Sequence, residues 1–230
     1  MAHRRRQRLR PRSIGAGHAR SGQVEPPGIP KLVKRLPYVL KGSLVLGSAS
    51  PRRSELLGVL GIPFVVRTSD SDESAPEGLS DRETVRHVAH QKAEALLPSL
   101  KPAEVLLTAD TEVWFQGRRF GKPQNLEHAV EMLLELSGQT HKVITALWAT
   151  DGVTWSSAES TALVTFKPVD EGFIRYYVEH FKPLDKAGAY GAQEWFGHLA
   201  IDRIVGTFDN VKGLPLDAVV EALEPWLEHA

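Results

Sequence analysis

The chain has 230 residues, 42% of them hydrophobic, a length that supports one well-buried domain or two small lobes. It contains no cysteine, which excludes disulfide bonds, thiolate metal sites and thiol nucleophiles and fits a reducing compartment. The 28 basic and 28 acidic residues cancel to a net charge of zero, and no apolar run approaches the roughly 20 residues that span a membrane.

The first 41 residues differ in composition from the rest of the chain. They hold 11 of the 28 lysines and arginines and a single acidic residue, Glu25, which leaves 17 basic and 27 acidic residues and a net charge of −10 for the remainder. Arginine, proline and glycine are abundant and apolar periodicity is absent, so we predict a basic, disordered extension over 1–41 and a folded domain over 42–230. The arginines suit nucleic-acid contact or an organelle presequence; the alternative is an extension without function.

The folded domain is predicted to begin with a buried strand over 44–48, a tight turn and a helix over 51–60. Ser50 suits the N-cap of that helix, and a proline suits its first position. Arg52 and Arg53 then lie in the first turn, where the helix end already carries partial positive charge, so two cations are unfavourable unless an anion joins them. The turn therefore predicts a phosphate site; the alternative is a solvated arginine pair on a surface helix.

A strand, an acidic loop and a long helix are predicted next. The strand covers 64–67, and the acidic loop 69–73 offers carboxylates for Mg²⁺ or Mn²⁺, unless it is simply solvated. A capping box of Ser80 and a glutamate three residues later opens a helix that runs to about residue 97. Lys92 falls in the middle of the apolar stripe of this helix, so it must either find an anion or extend to water.

An apolar run over 105–109 predicts a short buried strand, and Asp110 follows at its end. A carboxylate at a strand end is a common position for a metal ligand or a general base; the alternative is a turn-forming aspartate. Glu112 lies two residues further and, in extended backbone, faces the same side as Asp110. We expect Glu112 to add a carboxylate to that site or to lie just outside it. A small hairpin is predicted to turn at Gln116-Gly117.

The second half of the chain mixes helices with strands. Its predicted elements are a helix over 126–136, two long strands over 142–150 and 153–167 joined by a turn at Asp151-Gly152, a helix over 170–181, a strand near 198–205 and a last helix from Pro215. Because strands and helices do not strictly alternate, we predict an α/β fold with a mixed, twisted sheet flanked by helices.

Two loops carry polar side chains that suit a nucleotide. Gly121-Lys122-Pro123 puts a lysine in a stiff loop, and the loop that starts at residue 183 presents Lys186, Tyr190 and Gln193 among small residues that permit close backbone approach. Gln193 can pair with a base edge and Tyr190 can stack on the base. The alternative is an ordinary turn with a packed tyrosine.

Seven short motifs occur in order along the folded domain. They are Ser48-Ala49-Ser50-Pro51-Arg52-Arg53, Ser69-Asp70-Ser71-Asp72-Glu73, Gln91-Lys92-Ala93, Ala109-Asp110-Thr111, Gly121-Lys122-Pro123, Leu136-Ser137-Gly138-Gln139-Thr140-His141 and Asp185-Lys186-Ala187-Gly188-Ala189-Tyr190. Through them the chain, from residue 44 to the C-terminus, resembles the Maf (septum-formation) proteins. These are nucleoside triphosphate pyrophosphatases with a fold akin to that of the inosine-triphosphate pyrophosphatases.

The resemblance implies hydrolysis of a nucleoside triphosphate between the α and β phosphates, with a divalent cation, Mg²⁺ or Mn²⁺, as cofactor. It implies that Asp110 is the general base and that Glu73 and Asp110 hold the metal. The residues that it implies for substrate binding are Ser50, Arg52, Arg53, Lys92, Thr111, Lys122, Lys186 and Gln193. Of these, Arg52, Thr111 and Gln193 match positions associated with substrate choice. Glu112 departs from the family, which usually has an apolar residue at this position.

The loop from Asp185 to Tyr190, together with Gln193, is similar to the branch that acts on dTTP and UTP. We therefore expect a cytoplasmic, homodimeric enzyme with a nucleoside triphosphate substrate and no membrane partner. The enzyme alternative is the same chemistry on 7-methyl-GTP or CTP. The non-enzyme alternative is a nucleotide- or nucleic-acid-binding regulator of cell division, in which residues 1–41 contact the partner.

Overall fold

The structure is a computed structural model, which describes residues 38–68 and 74–229. Most of the predicted basic extension, the acidic loop 69–73 and the C-terminal residue lie outside the described residues, so what was expected of that loop and of residues 1–37 stays a prediction. Within the described part, no helix is both long enough and apolar enough to cross a membrane.

The described residues form nine strands and seven α-helices. The strands are β1 (Tyr38–Leu40), β2 (Ser43–Leu46), β3 (Phe64–Val66), β4 (Glu104–Phe115), β5 (Arg118–Phe120), β6 (Thr140–Thr150), β7 (Trp155–Phe166), β8 (Ile201–Val205) and β9 (Leu227–His229). The helices are α1 (Pro51–Val59), α2 (Asp81–Leu96), α3 (Leu126–Leu136), α4 (Glu171–Phe181), α5 (Trp195–Ala200), α6 (Phe208–Lys212) and α7 (Leu216–Leu223).

Seven of these strands form one mixed sheet. Its order is β3-β2-β4-β6-β7-β8, and β5 pairs with part of β4. Strand β2 runs parallel to β3 and β4, whereas the pairs from β4 to β8 are antiparallel. The predicted mixed α/β fold is confirmed. Strands β1 and β9 form a separate antiparallel pair, so residues 38–40, inside the range predicted as an extension, contact the C-terminal end of the domain.

Helices cover both faces of the sheet. Helix α2 packs on one face, where Val85 and Ala89 meet Ile144 and Ala146 of β6. On the opposite face, α1 and α7 cover one end of the sheet, and α3, α4 and α5 cover the other end. Because side chains alternate along a strand, even-numbered residues of β4 face α2 and odd-numbered residues face the other helices.

The helix starts follow the signals in the sequence. Ser80 and Glu83 form the predicted capping box of α2, and Asn125 accepts a hydrogen bond from the backbone N–H of His128 at 2.8 Å. One prediction was partly wrong: residues 198–200 belong to α5, and the strand begins only at Ile201. Helix α5 buries Phe196 and Ala200 in the core, because residues four apart lie on the same face of a helix.

Strand β4 extends well beyond the predicted residue 109. It pairs with β6 from Leu106 to Trp114, and buried Val113 continues the alternation of its apolar face. On its other edge, β4 pairs with β2 only as far as Leu107 and with β5 only from Val113 onward. Within the described residues, positions 108–112 therefore pair on one edge alone, and a gap lies between β2 and β5.

A buried histidine makes the stability of this fold sensitive to pH. The His141 ring contacts Phe166, and its Nε2 lies 2.8 Å from the Tyr190 hydroxyl. Burial lowers the pKa of His141 from 6.5 to about 4. Between these two pH values the unfolded chain therefore binds more protons at this histidine than the folded chain does. The contribution of neutral His141 to the free energy of unfolding is complete above about pH 6.5 and is lost as the pH falls towards 4.

We expect His141→Gln to weaken the acid sensitivity of folding. Between pH 6.5 and 4.5 the unmodified protein should lose up to about 1.4 kcal/mol of unfolding free energy per pH unit more than the variant. Urea unfolding at several pH values measures this difference. His198→Gln, at an exposed position of α5, is the control. Parallel pH profiles for His141→Gln and the unmodified protein would contradict the prediction.

Candidate active site

A cavity of about 520 Å³ opens at the gap between β2 and β5. Its walls are the turn after β2, the start of α1, the open edge of β4, the loop after β5 and the loop before α5. All predicted site residues that the structure describes line this cavity: Ser50, Arg52, Arg53, Lys92, Asp110, Thr111, Lys122, Lys186 and Gln193. Glu73, the predicted metal ligand, lies outside the described residues. These nine residues come from five separate segments of the chain, which converge on one site.

Asp110 and Lys92 form a largely buried ion pair in the cavity. Asp110 lies in the middle of β4 and not at a strand end as predicted, because β6 continues to pair with β4 beyond it. Lys92 reaches it from α2, and its Nζ donates to Asp110 Oδ1 at 2.6 Å. The two side chains are 13% and 10% exposed. Of the two alternatives for Lys92, an anion or water, the structure shows an anion, and it is a carboxylate of the protein.

Arg53 connects three walls of the cavity. Its Nε donates to the Gly213 carbonyl at 3.0 Å, while its two terminal nitrogens donate to Ser48 Oγ at 3.3 Å and to Thr111 Oγ1 at 3.2 Å. Thr111 Oγ1 also lies 2.9 Å from Thr145 Oγ1. Because the guanidinium is planar and its donors point in set directions, Arg53 sets the distance between the start of α1 and the edge of β4.

Arg52 lies at the mouth of the cavity, where it forms an ion pair with Asp185 at 3.0 Å. Lys186 Nζ donates to the other oxygen of Asp185 at 2.7 Å. Partial burial disfavours the charged carboxylate, but the hydrogen bonds from Lys186 and Arg52 outweigh it and lower the pKa of Asp185. The Asp185 side chain is 61% exposed, so this pair contributes little to stability. Arg52 can therefore exchange this partner for a phosphate at small cost.

Tyr190 has a different role from the one its loop predicted. Its hydroxyl contacts the buried His141, and its ring meets the edges of Phe166 and His141. Although Tyr190 borders the cavity, it is only 6% exposed, so its ring is part of the core and does not offer a face on which a nucleobase could stack.

Ser50 occupies the predicted N-cap of α1, but its side chain makes no capping hydrogen bond. Its hydroxyl is thus not committed to the helix.

Comparison with known proteins identifies the family. The model of the family described as Maf-like protein matches residues 43–226. The chain belongs to the Maf-like protein family. A protein of Bacteroides thetaiotaomicron named dTTP/UTP pyrophosphatase is 43% identical over 185 residues, which cover 80% of this chain and 96% of that protein. A protein of Flavobacterium johnsoniae with the same name is 40% identical over 183 residues, covering 80% and 94%. The resemblance inferred from the seven motifs is confirmed.

Two cationic residues of the Maf-like site were missed in the sequence. Arg119 of β5 and Lys212 at the end of α6 both line the cavity. Helix α6 was not predicted, although Thr207 caps its start and Gly213 ends it with a φ of +118°, and these two signals could have revealed it. Arg119 had no local signal, because its place in the site depends on how β5 pairs with β4.

The divalent cation expected of a Maf-like enzyme is compatible with these residues. Among residues 38–68 and 74–229 no group of three Asp, Glu or His side chains could hold a metal ion. Mg²⁺, however, usually binds one or two carboxylates and completes its coordination with substrate phosphates and water. Asp110 Oδ2 is buried beside the cavity and has no hydrogen-bond partner within the described residues, which leaves it available as such a ligand.

Proposed function

We propose that this Maf-like protein is a nucleoside triphosphate pyrophosphatase that hydrolyses dTTP and UTP to the monophosphate and pyrophosphate. The observation that carries the proposal is the buried Lys92–Asp110 pair in a cavity rimmed by cationic side chains. A polyphosphate needs such cations, and attack by water needs a carboxylate within reach of the reacting phosphorus. The names of the two relatives support the choice of nucleotides.

In this mechanism Asp110 accepts a proton from a water molecule as the water oxygen bonds to the α-phosphorus. The bridging bond between the α-phosphorus and the oxygen of the β-phosphate then breaks, and pyrophosphate leaves with the electron pair. Arg52, Lys122 and Lys186 bind the phosphate oxygens and balance the charge that builds up on the leaving group. A divalent cation held by Asp110 and Glu73 would neutralise further phosphate charge when bound.

Lys92 and Arg53 position the reacting groups. The 2.6 Å bond from Lys92 directs one oxygen of Asp110 and leaves the second for water or metal. Arg53 places Thr111 and the start of α1 against each other.

The residues assigned to the choice of nucleobase also line the cavity. They are Arg52, Thr111 and Gln193, and we propose that they select the pyrimidine. We also propose, on the family resemblance, a homodimeric enzyme of the cytoplasm.

A panel of nucleotides tests the proposed function. Pyrophosphate release is measured with dTTP, UTP, CTP, 7-methyl-GTP and ATP, each with Mg²⁺ and with Mn²⁺, and with EDTA as the control. We expect dTTP and UTP to exceed the other nucleotides in kcat/KM by about tenfold or more, because a site that hydrogen-bonds one base leaves polar groups unpaired with another. The products should be the monophosphate and pyrophosphate, and EDTA should abolish turnover.

Other outcomes of the panel would contradict parts of the proposal. Faster hydrolysis of 7-methyl-GTP or CTP would reject the assigned substrates while leaving the chemistry intact. Release of inorganic phosphate and a nucleoside diphosphate would show that the bond between the β and γ phosphates is cleaved, and would reject the assigned α–β cleavage. If no nucleotide were hydrolysed, the proposed enzymatic activity would be rejected in favour of a regulator that binds nucleotides. Turnover that persists in EDTA would reject the metal requirement.

A further inference from the structure

Glu112 is the buried carboxylate that the mechanism above does not use. It follows Asp110 by two residues on β4, so both side chains face α2, and both line the cavity. Glu112 is 2% exposed, and neither of its carboxylate oxygens has a hydrogen-bond partner among the described residues. It pairs across the sheet with Ile144, a residue of the apolar cluster under α2. A buried carboxylate without hydrogen bonds is costly unless a positive charge joins it.

The positive charge beside Glu112 comes from Arg119 of β5. One terminal nitrogen of Arg119 forms an ion pair with Glu112 Oε1. The ion pair engages Oε1, and Glu112 Oε2 has no hydrogen-bond partner among the described residues. Arg119 therefore leaves one oxygen of this buried carboxylate without a hydrogen bond.

Three buried oxygens thus lack hydrogen bonds at one place in the cavity wall. They are Asp110 Oδ2 and the two carboxylate oxygens of Glu112. The other oxygen of Asp110 is already occupied by Lys92. Two carboxylates that repel each other and share a cavity are the usual ligands of a hard divalent cation, which would remove the repulsion and bind the oxygens that lack hydrogen bonds.

We propose that Glu112 is a ligand of the divalent cation together with Asp110. The inference rests on the proposed function, because substrate phosphates and water would complete the coordination of the ion. Arg119 acts as a positioning residue that holds Glu112 towards the cavity.

Binding of Mn²⁺ by the full chain, without nucleotide, tests this inference. Electron paramagnetic resonance of free Mn²⁺ gives the dissociation constant for the unmodified protein, Glu112→Gln and Glu112→Ile. The matched control is Glu104→Gln, which lies on the same strand, forms a 2.9 Å ion pair with Arg67 and does not line the cavity. Loss of a residue that only orients a metal ligand typically weakens metal binding about 10- to 100-fold. Loss of Glu112 as a ligand should therefore raise the Mn²⁺ dissociation constant by at least that factor. Glu104→Gln should not change it.

Unchanged Mn²⁺ affinity in both Glu112 variants would overturn the inference. The ion pair between Glu112 and Arg119 would then have a structural role alone. Absence of Mn²⁺ binding by the unmodified protein up to millimolar metal would overturn it as well. Glu112→Ile keeps the test usable if Glu112→Gln does not fold, because an apolar side chain suits this buried position; thermal unfolding checks both. Mn²⁺ binding needs no turnover, so failure of the proposed function and failure of this inference are separable.

Discussion

Replacement of Asp110 by asparagine is expected to lower kcat for dTTP hydrolysis by about 10²- to 10⁴-fold, the usual contribution of general base catalysis. Asparagine has nearly the same shape, and its carbonyl oxygen can still accept the hydrogen bond from Lys92. The variant therefore keeps the local packing and loses the ability to accept a proton. Steady-state kinetics of pyrophosphate release, with Mg²⁺ at saturation, measure the effect.

A suitable control is Asp202→Asn, because Asp202 is exposed on β8 and does not line the cavity. Its kcat should equal that of the unmodified protein. If Asp110→Asn hydrolysed dTTP at the unmodified rate, Asp110 would not be the base, and Glu112 would be the next carboxylate of the cavity to test. A rise in KM without a fall in kcat would instead indicate that Asp110 only binds substrate or metal.

Replacement of Lys92 by methionine is expected to lower kcat by about 10²- to 10³-fold, comparable to the loss of one preorganised electrostatic donor. Methionine fills a similar volume on α2, so the apolar stripe stays packed. The substitution removes the cation that holds Asp110 Oδ1 and leaves a buried carboxylate without its partner. Kinetics and urea unfolding of the variant measure the two effects.

The matched control for Lys92 is Lys142→Met. Lys142 forms a 2.7 Å ion pair with Asp81 at the start of the same helix, but it is more exposed and lies outside the cavity. The double variant Lys92→Met/Asp110→Asn should recover part of the unfolding free energy lost by Lys92→Met, because no buried charge remains unpaired. Equal stability of the single and double variants would show that the pair is not coupled.

Local signals in the sequence predicted the helices better than the strands. Ser80 and Asn125 cap α2 and α3 as their positions indicated, since a capping side chain acts on the backbone of its own first turn. Asp170, predicted as the first residue of its helix, is the N-cap of α4. The extent of β4 was underestimated, because whether a strand continues past Ala109 depends on a partner strand about 35 residues later in the chain. The same limit applies to β8, which starts where α5 ends.

The candidate site was predicted residue by residue, but its internal contacts were not. The motifs, with Gln193 from the loop that follows the last of them, named nine described residues that the structure brings to one cavity. They did not show that Arg53 braces Thr111, that Arg52 pairs with Asp185 or that Tyr190 packs against His141. Each of these contacts joins segments at least 49 residues apart.

The amino-acid sequence by itself determined the family, the helix starts and the chemical character of the side chains at the site, since these depend on residue type and on neighbours within a few positions. The tertiary structure decided where the site opens. Strand β2 leaves β4 after Leu107 and β5 joins it only at Val113, and this gap leaves unpaired the strand edge that carries Asp110 and Glu112. A gap between two partners of one strand follows from long-range backbone pairing, and local residue preferences do not encode it.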